Sequence, residues 1–311
     1  MGIAQTLTLQ QIRQFIQAEE IPLRRQFFSE NTVNTVLKYG AVVGSVLETF
    51  PQLDRGMDHA RRLIRRHEEA GTSFPSGQVI VADELTGGKG RFQRYWHAPA
   101  GGVWLTLVLV NTLLAENNSF YPLAAGVACC ETINHYLPQA RLKWVNDVHV
   151  SGRKIAGILI ETMVGPIFGE EYIMIGVGIN VNNDSFPDEL SGLAVSLKGL
   201  TGREEDVQLL TCRLLAKLSW NMGLVYYEEQ RGMEDDIGLS AGEKRREHYL
   251  LSRYRQLSDS VGRRVLFGHD VQKSPQYEAV VQGFDQRGAL LLQLDDGTIV
   301  EENSGEITYL D

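Results

Sequence analysis

The sequence predicts an α+β chain: a central sheet of mostly hairpin-linked strands, packed helices, and a small β-barrel at the C-terminus. Three observations carry this expectation. Apolar runs of strand length (Gln78 to Ala82, Gly102 to Val110, Tyr172 to Val181) alternate with segments whose apolar residues recur at helical spacing. Ser151-Gly152 makes a tight turn directly between two strand-like runs. From Val261 the texture changes to short strands separated by turn signals, among them Asp285-Gln286-Arg287-Gly288 and Asp295-Asp296-Gly297.

Taken in order, Leu9, Ile12 and Phe15/Ile16 lie at helical spacing, and residues 1–45 read as a helical N-terminal extension. That stretch looks too short for a complete winged-helix DNA-binding domain. A second helix runs from about Met57 to Ala70, stopped by Gly71 and the turn 73–77. Gln78 to Ala82 follows as a strand rich in β-branched residues. A glycine-rich loop leads into Gly102 to Val110, whose apolar residues fill both alternate sets, as in a strand buried on both faces. Tyr121 to Leu137 reads as helix, Arg141 to Val150 as one strand, and Lys154 to Glu161 and Tyr172 to Val181 as two more. Helices are expected from Val207 to about Glu228 and from Ala241 to Leu257, with the acidic segment 233–238 between them. The organisation is therefore an extension (1–45), a main domain (46–258) and a terminal barrel (259–311).

The chain has 311 residues, 43% hydrophobic and 22% charged, enough for a large domain plus a small one. A net charge of −9 argues against a general nucleic-acid binder, which needs a basic face for phosphates. Cys129, Cys130 and Cys212 have no metal-ligand spacing and read as buried thiols. No signal-peptide layout opens the chain and no apolar run is long enough to span a bilayer, so a cytoplasmic, reduced setting is expected.

Four short segments carry chemistry. Residues 86–96, TGGKGRFQRYW, hold three glycines and three cations in eleven positions. Gly87, Gly88 and Gly90 let backbone N–H groups approach a ligand, and Lys89, Arg91 and Arg94 supply charge for phosphate or carboxylate. The alternative is a mobile basic loop. The order is not that of a P-loop, and Gly176-Val177-Gly178 lacks the third glycine of a dinucleotide fold. In residues 141–148, RLKWVNDV, Lys143 sits between Leu142 and Trp144. A lysine on an interior strand is expensive unless it meets an anion; the alternative is an edge-strand lysine pointing to water. Ala156-Gly157 removes bulk in mid-strand, and Asn180 follows a second pair of glycines.

The order of these segments resembles the biotin protein ligases: a Gly/Arg loop ending in Trp-x-x-Pro-x-Gly-Gly, then Lys-Trp-x-Asn-Asp, Arg-Lys-x-Ala-Gly-Ile-Leu-x-Glu, and Gly-x-Gly-Ile-Asn-x-Asn. The resemblance covers roughly residues 50–311. It implies a catalytic domain related to class II synthetases and lipoate ligases, an SH3-like terminal barrel, and an ATP-dependent two-step reaction with Mg2+. Biotin would be adenylated and then transferred to a lysine of a biotin-acceptor carrier domain. The reading includes no nucleic-acid or membrane partner, and it includes a homodimer because members often pair through the central sheet.

By the same resemblance, Lys143 would sit between carboxylate and phosphate and Lys89, Gly90 and Arg91 would cover the α-phosphate. Gly88 belongs to the same loop, Arg94 would support it, and Trp96 would close over the adenylate. Gly157 would line the acyl pocket, Asn146 closes the Lys143 segment, and Asn180 would hold the adenine.

The departures are specific, and in the loop Lys89, Phe92 and Gln93 stand where Arg, Arg and Gly are common. Arg55, Gly56 and Met57 stand where the family carries Ser, Thr and Asn at a helix start, and Leu85 stands where it carries Gln. Ser, Thr and Gln are contacts to the biotin head group. Val145 replaces a proline. Three readings remain open: a biotin ligase with an altered head-group site, a ligase for another acid (lipoate, octanoate or a small acid whose polar end meets Arg55), and a non-catalytic nucleotide-sensing homologue.

Overall fold

The computed structural model describes residues 7–238 and 248–310. Its first helices are α1 (Leu9–Phe15), a π-helical turn (Ile16–Glu20), α2 (Ile21–Arg24) and α3 (Glu30–Gly40). Thr8 and Ser29 cap α1 and α3 by accepting from the amides of Gln11 and Thr32. Between residues 7 and 40 the described chain is helical, with no β-hairpin. The main sheet follows: β1 (Leu47–Phe50), α4 (Gly56–Glu69), β2 (Gln78–Ala82), β3 (Val103–Val110), α5 (Phe120–Asn134), β4 (Arg141–Lys143), β5 (Asp147–Val150), β6 (Arg153–Val164) and β7 (Glu171–Ile179). Its spatial order is β1-β2-β3-β7-β6-β5-β4. Only the β1–β2 pair, joined through α4, is parallel; every other neighbour is antiparallel. Three further helices are α6 (Leu197–Thr201), α7 (Val207–Gly238) and α8 (Tyr249–Leu257).

The two faces of the sheet are used differently. One is covered by α5, where every residue from Phe120 to Ile133 except Pro122 is buried, with the long helix α7 behind it. A helix apolar all round belongs inside a domain. Close backbone approach fixes α3 against α7: a Cβ at Gly40 would lie 1.8 Å from the Ser219 carbonyl oxygen, and one at Gly223 would lie 2.1 Å from that of Val36. Arg24 joins the N-terminal helices to α5 by pairing with Glu20 and with Glu131, and Lys217 also reaches Glu20. The other face is covered only partly. There α4 places Met57, Ala60 and Ile64 against Ile80, Val108, Tyr172 and Met174, leaving the β5–β6–β7 side of that face open.

The terminal strands β8 (Arg264–Gly268), β9 (Tyr277–Phe284), β10 (Leu290–Gln293), β11 (Ile299–Glu302) and β12 (Glu306–Tyr309) form an antiparallel SH3-like sheet of order β11-β10-β9-β8-β12. Its apolar side shares one cluster with the α5 face of the main sheet. Gly288 makes the close contact: at φ +83° a Cβ there would meet Leu123 at 2.4 Å, and its carbonyl accepts from Trp144 Nε1 at 3.2 Å.

Three expectations need correction. Residues 141–150 are a hairpin, β4 and β5, because Trp144 to Asn146 turn the chain between them. Lys143 therefore lies on the edge strand of the sheet and not on an interior one. Segment 233–238 continues α7 instead of breaking it. Of the helix expected over 241–257, residues 241–247 lie outside the described residues, and the helix that is described starts at Tyr249 after an extended His248. One strand was not anticipated: β1 has four half-buried residues without alternation, and its identity comes from parallel pairing with β2 across α4.

Candidate active site

Opposed residues on neighbouring antiparallel strands project to the same face. One row across the open face therefore reads Ala82, Trp104, Gly178, Gly157, Asp147, Lys143. The next row reads Ile80, Thr106, Gly176, Leu159. All ten line one cavity of about 410 Å³, which runs from the start of α4, over a floor of glycines, to Lys143. Thus the mid-strand glycines at 157, 176 and 178 come together as a strip without side chains.

Residues 86–96 roof this strip. The segment closes on itself, with the Trp96 amide donating to Gly88 O at 2.9 Å and the Gly90 amide to Arg94 O at 2.8 Å. A Cβ at Gly88 would lie 2.5 Å from the Trp96 carbonyl oxygen, so that position requires glycine. Phe92 and Gln93 take positive φ (56° and 60°), which tightens the turn. Leu85 is tied to Ala98 O at 3.0 Å, and Lys89 is exposed. Trp96 lies flat on the glycine strip: a Cβ at Gly178 would come within 2.7 Å of its Nε1, and one at Gly157 within 3.1 Å of its ring. Its buried Nε1 has no hydrogen-bond partner.

The two ends of the cavity differ in chemistry. At one end, Leu53, Met57 and Leu85 surround Arg55, Gly56 and Thr106. Arg55 is buried, pairs with Glu161 and lies 3.4 Å from Asp58; Arg61 pairs with the same two carboxylates. At the other end are Lys143, Lys154 and Arg91. Lys154 pairs with Asp147 at 2.6 Å, and its ammonium stands 5.2 Å from the centroid of the Trp96 ring. Burial pushes the Lys143 pKa below the usual lysine value; Asp147 opposes that shift and Lys154 adds to it. The Tyr309 ring of β12 stands 5.3 Å from the Lys143 ammonium, and the outer edge of β4 is bridged by Ser258 and Asp259 at Leu142.

Residues from the terminal sheet complete that end. Arg91 donates to Gly305 O at 2.7 Å. Arg94 grips Glu306 with two parallel bonds of 2.9 Å each and also pairs with Asp270. Tyr309 donates to Asp259 at 2.9 Å, and His149 Nε2 lies 3.0 Å from the same carboxylate. Asn146 binds the Ile158 carbonyl and so clasps the β4–β5 hairpin to β6, while Asn180 accepts from Asn183 at 3.3 Å.

Among the residues singled out from sequence, Arg55, Gly56, Met57, Leu85, Lys89, Gly90, Arg91, Arg94, Trp96, Lys143, Asn146, Gly157 and Asn180 line the cavity; Gly88 shapes the loop from behind. Sequence reasoning missed Thr106, Asp147, Lys154, Glu161 and Tyr309. Thr106 had a signal, as the one polar residue in an apolar strand, whereas Tyr309 had none that is local. Among the described residues no group of three or more His, Cys, Asp or Glu is placed to hold a metal ion. The three cysteines are buried and free, and burial pushes the Cys130 thiol up to about 12. No helix of the described chain is long and apolar enough to cross a membrane.

Known proteins share parts of this sequence and this fold. Residues 64–180 match the Biotin/lipoate A/B protein ligase family, and residues 262–308 match the Biotin protein ligase C terminal domain. The bifunctional ligase/repressor BirA of Bacillus spizizenii is 38% identical over 144 residues, covering 45% of this chain and 44% of that protein. The aligned stretch thus spans under half the length of the Bacillus relatives. The biotin--[acetyl-CoA-carboxylase] ligase of Mycobacterium tuberculosis is 28% identical over 244 residues, covering 75% of this chain and 79% of that one. A solved biotin protein ligase from Aquifex aeolicus, in complex with biotin and ATP, shares the fold with a TM-score of 0.65. It is 21% identical, over 85% of this chain and 98% of its own.

Proposed function

The chain belongs to the biotin protein ligase family, and from that premise we propose that it is an ATP-dependent ligase that adenylates biotin and passes it to a lysine of a carrier domain. The observation that carries this reading is the polarity of the cavity, which has an apolar end, a glycine floor and a cluster of cations at the far end. An extended carboxylic acid fits that sequence of surfaces, with its carboxylate beside Lys143.

In the first step a carboxylate oxygen attacks the α-phosphorus of ATP, and the bond to pyrophosphate breaks. In the second, the carrier amine attacks the acyl carbon, loses a proton, and releases AMP. Negative charge gathers at one point in both steps, and preorganised cations there lower both barriers. Lys143 is assigned between carboxylate and phosphate, with Arg91 and Lys89 on the phosphate side and Lys154 beside them. Gly88, Gly90 and Arg94 hold the loop as a roof, Trp96 is assigned to close over the adenylate, and Gly157 to line the acyl pocket. Asn180 and Asn146 are assigned to the nucleotide side. Mg2+ would be carried by the phosphates of ATP, whose charge it would neutralise, since Asp147, the carboxylate beside Lys143, is paired with Lys154. Covering the adenylate also keeps water from it.

The reading of a small acid anchored by Arg55 loses support, because Arg55 is already committed to Glu161 and Asp58. ATP–pyrophosphate exchange with biotin, lipoate, octanoate and short polar acids tests the proposal. Exchange at micromolar biotin is expected. Exchange with another acid alone would replace the substrate, and silence with nucleotide binding intact would indicate a non-catalytic homologue.

A further inference from the structure

The apolar end of the cavity contains a hydroxyl with no partner. Thr106 is 5% exposed, lines the cavity, and forms no side-chain hydrogen bond among the described residues. The hydroxyl is not among the buried unpartnered atoms and opens onto the cavity, where it can donate to or accept from a ligand. Directly opposite, α4 begins at Gly56 with no side-chain cap, so the first-turn N–H groups of a 14-residue helix also lack partners from its own turns. The two features touch: a Cβ at position 56 would lie 2.4 Å from Thr106 Oγ1. Positions 56 and 106 therefore compete for one volume, and a side chain on the helix start excludes the hydroxyl from the strand.

Resting on the ligase reading above, we infer that Thr106 is a specificity-determining residue: with the uncapped start of α4, it binds an uncharged, carbonyl-bearing head of the acid. Charge selects the class of head group. Arg55 and Arg61 are matched by Asp58 and Glu161, so no net charge is left for a second carboxylate or an ammonium. The surrounding surface, Leu53, Met57, Leu85 and Leu159, is apolar. A cyclic urea or amide meets both conditions, since its carbonyl accepts from the hydroxyl and the helix amides. The head-group hydroxyl that α4 lacks is thus supplied from β3, and Gly56 is what makes room for it.

The test is biotin-dependent pyrophosphate exchange by the full chain carrying Thr106→Val, Thr106→Ser, Gly56→Thr, or Gly56→Thr with Thr106→Ala. Thr106→Val keeps the shape and removes the hydroxyl. It should raise KM for biotin about 5- to 150-fold, with kcat and KM for ATP changed little, while Thr106→Ser should stay near wild type. Gly56→Thr should bind biotin poorly, and the double variant should recover because the helix hydroxyl then occupies the vacated space. An unchanged KM in Thr106→Val, or a double variant no better than Gly56→Thr alone, would overturn the inference while exchange by the wild type still upholds the ligase reading. A wild-type chain silent with biotin would overturn both.

Discussion

Replacing Glu306 should loosen the roof of the cavity, and the size of the effect follows from geometry. Arg94 holds Glu306 through two parallel bonds of 2.9 Å, with the side chains 29% and 16% exposed. An exposed ion pair contributes roughly 0–1 kcal/mol, while breaking a buried one costs about 3–5. A bidentate pair of intermediate exposure therefore stabilises the closed loop by about 1–3 kcal/mol. Its loss should make loop opening about 5- to 150-fold more frequent. Opening admits water, so the assay is AMP release from ATP and biotin without an acceptor. Glu306→Ala should leak AMP faster by that factor, and Glu306→Gln, which keeps one acceptor, by less. Arg94→Ala, which also loses Asp270, should leak at least as fast, and the double variant should be no worse than Arg94→Ala alone. Unchanged leakage in Glu306→Ala, or two effects that simply add, would refute a clamp between the loop and the terminal sheet.

Lys143→Ala should abolish adenylate formation with a thermal midpoint close to wild type, and unchanged exchange in that variant would remove Lys143 from the mechanism. Because burial lowers the Lys143 pKa, kcat/KM for ATP should fall on the alkaline side at a pH below the ordinary lysine value of 10.5. Lys143→Arg, charged throughout, should lose that alkaline limb even if it is slower. Gly178→Val should displace Trp96, whose ring leaves no room for a side chain there, and loss of biotin binding by calorimetry with the fold retained is the expected result. Burial raises the Glu131 pKa but Arg24, Lys217 and Arg253 outweigh it, holding the group at about 2 against 4.5 when free. A carboxylate so depressed stabilises the fold above the unfolded pKa, and that contribution, on the order of 3 kcal/mol, is lost as pH falls from about 4.5 to 2. Urea titrations across that window should show Glu131→Gln with a flatter acid limb than wild type.

What was legible in the sequence was local. The strand ending at Ala82 and the one ending at Val110 were readable because their apolar runs are long or β-branched. The glycine-rich segment and Lys143 were readable because unusual residues cluster within a few positions. What escaped depends on partners far along the chain. Arg91 meets Gly305 across 214 residues and Arg94 meets Glu306 across 212, so no window of sequence contains either contact. Lys143 shows the limit most clearly. An interior strand and an open edge were the two options from sequence, and the chain uses a third, an edge strand bridged by Ser258 and Asp259 with its lysine beside the Tyr309 ring. Likewise, Arg55 looked free to meet a substrate because Glu161 lies 106 residues away.

This cavity is proposed to join a carboxylic acid to AMP. A single-turnover experiment tests it most directly: the chain is mixed with ATP, Mg2+ and biotin, without acceptor, and the quenched mixture is analysed by mass spectrometry. One biotinyl-adenylate per chain, absent in Lys143→Ala, is the expected result. ATP and biotin recovered intact from a chain that binds both would contradict the account.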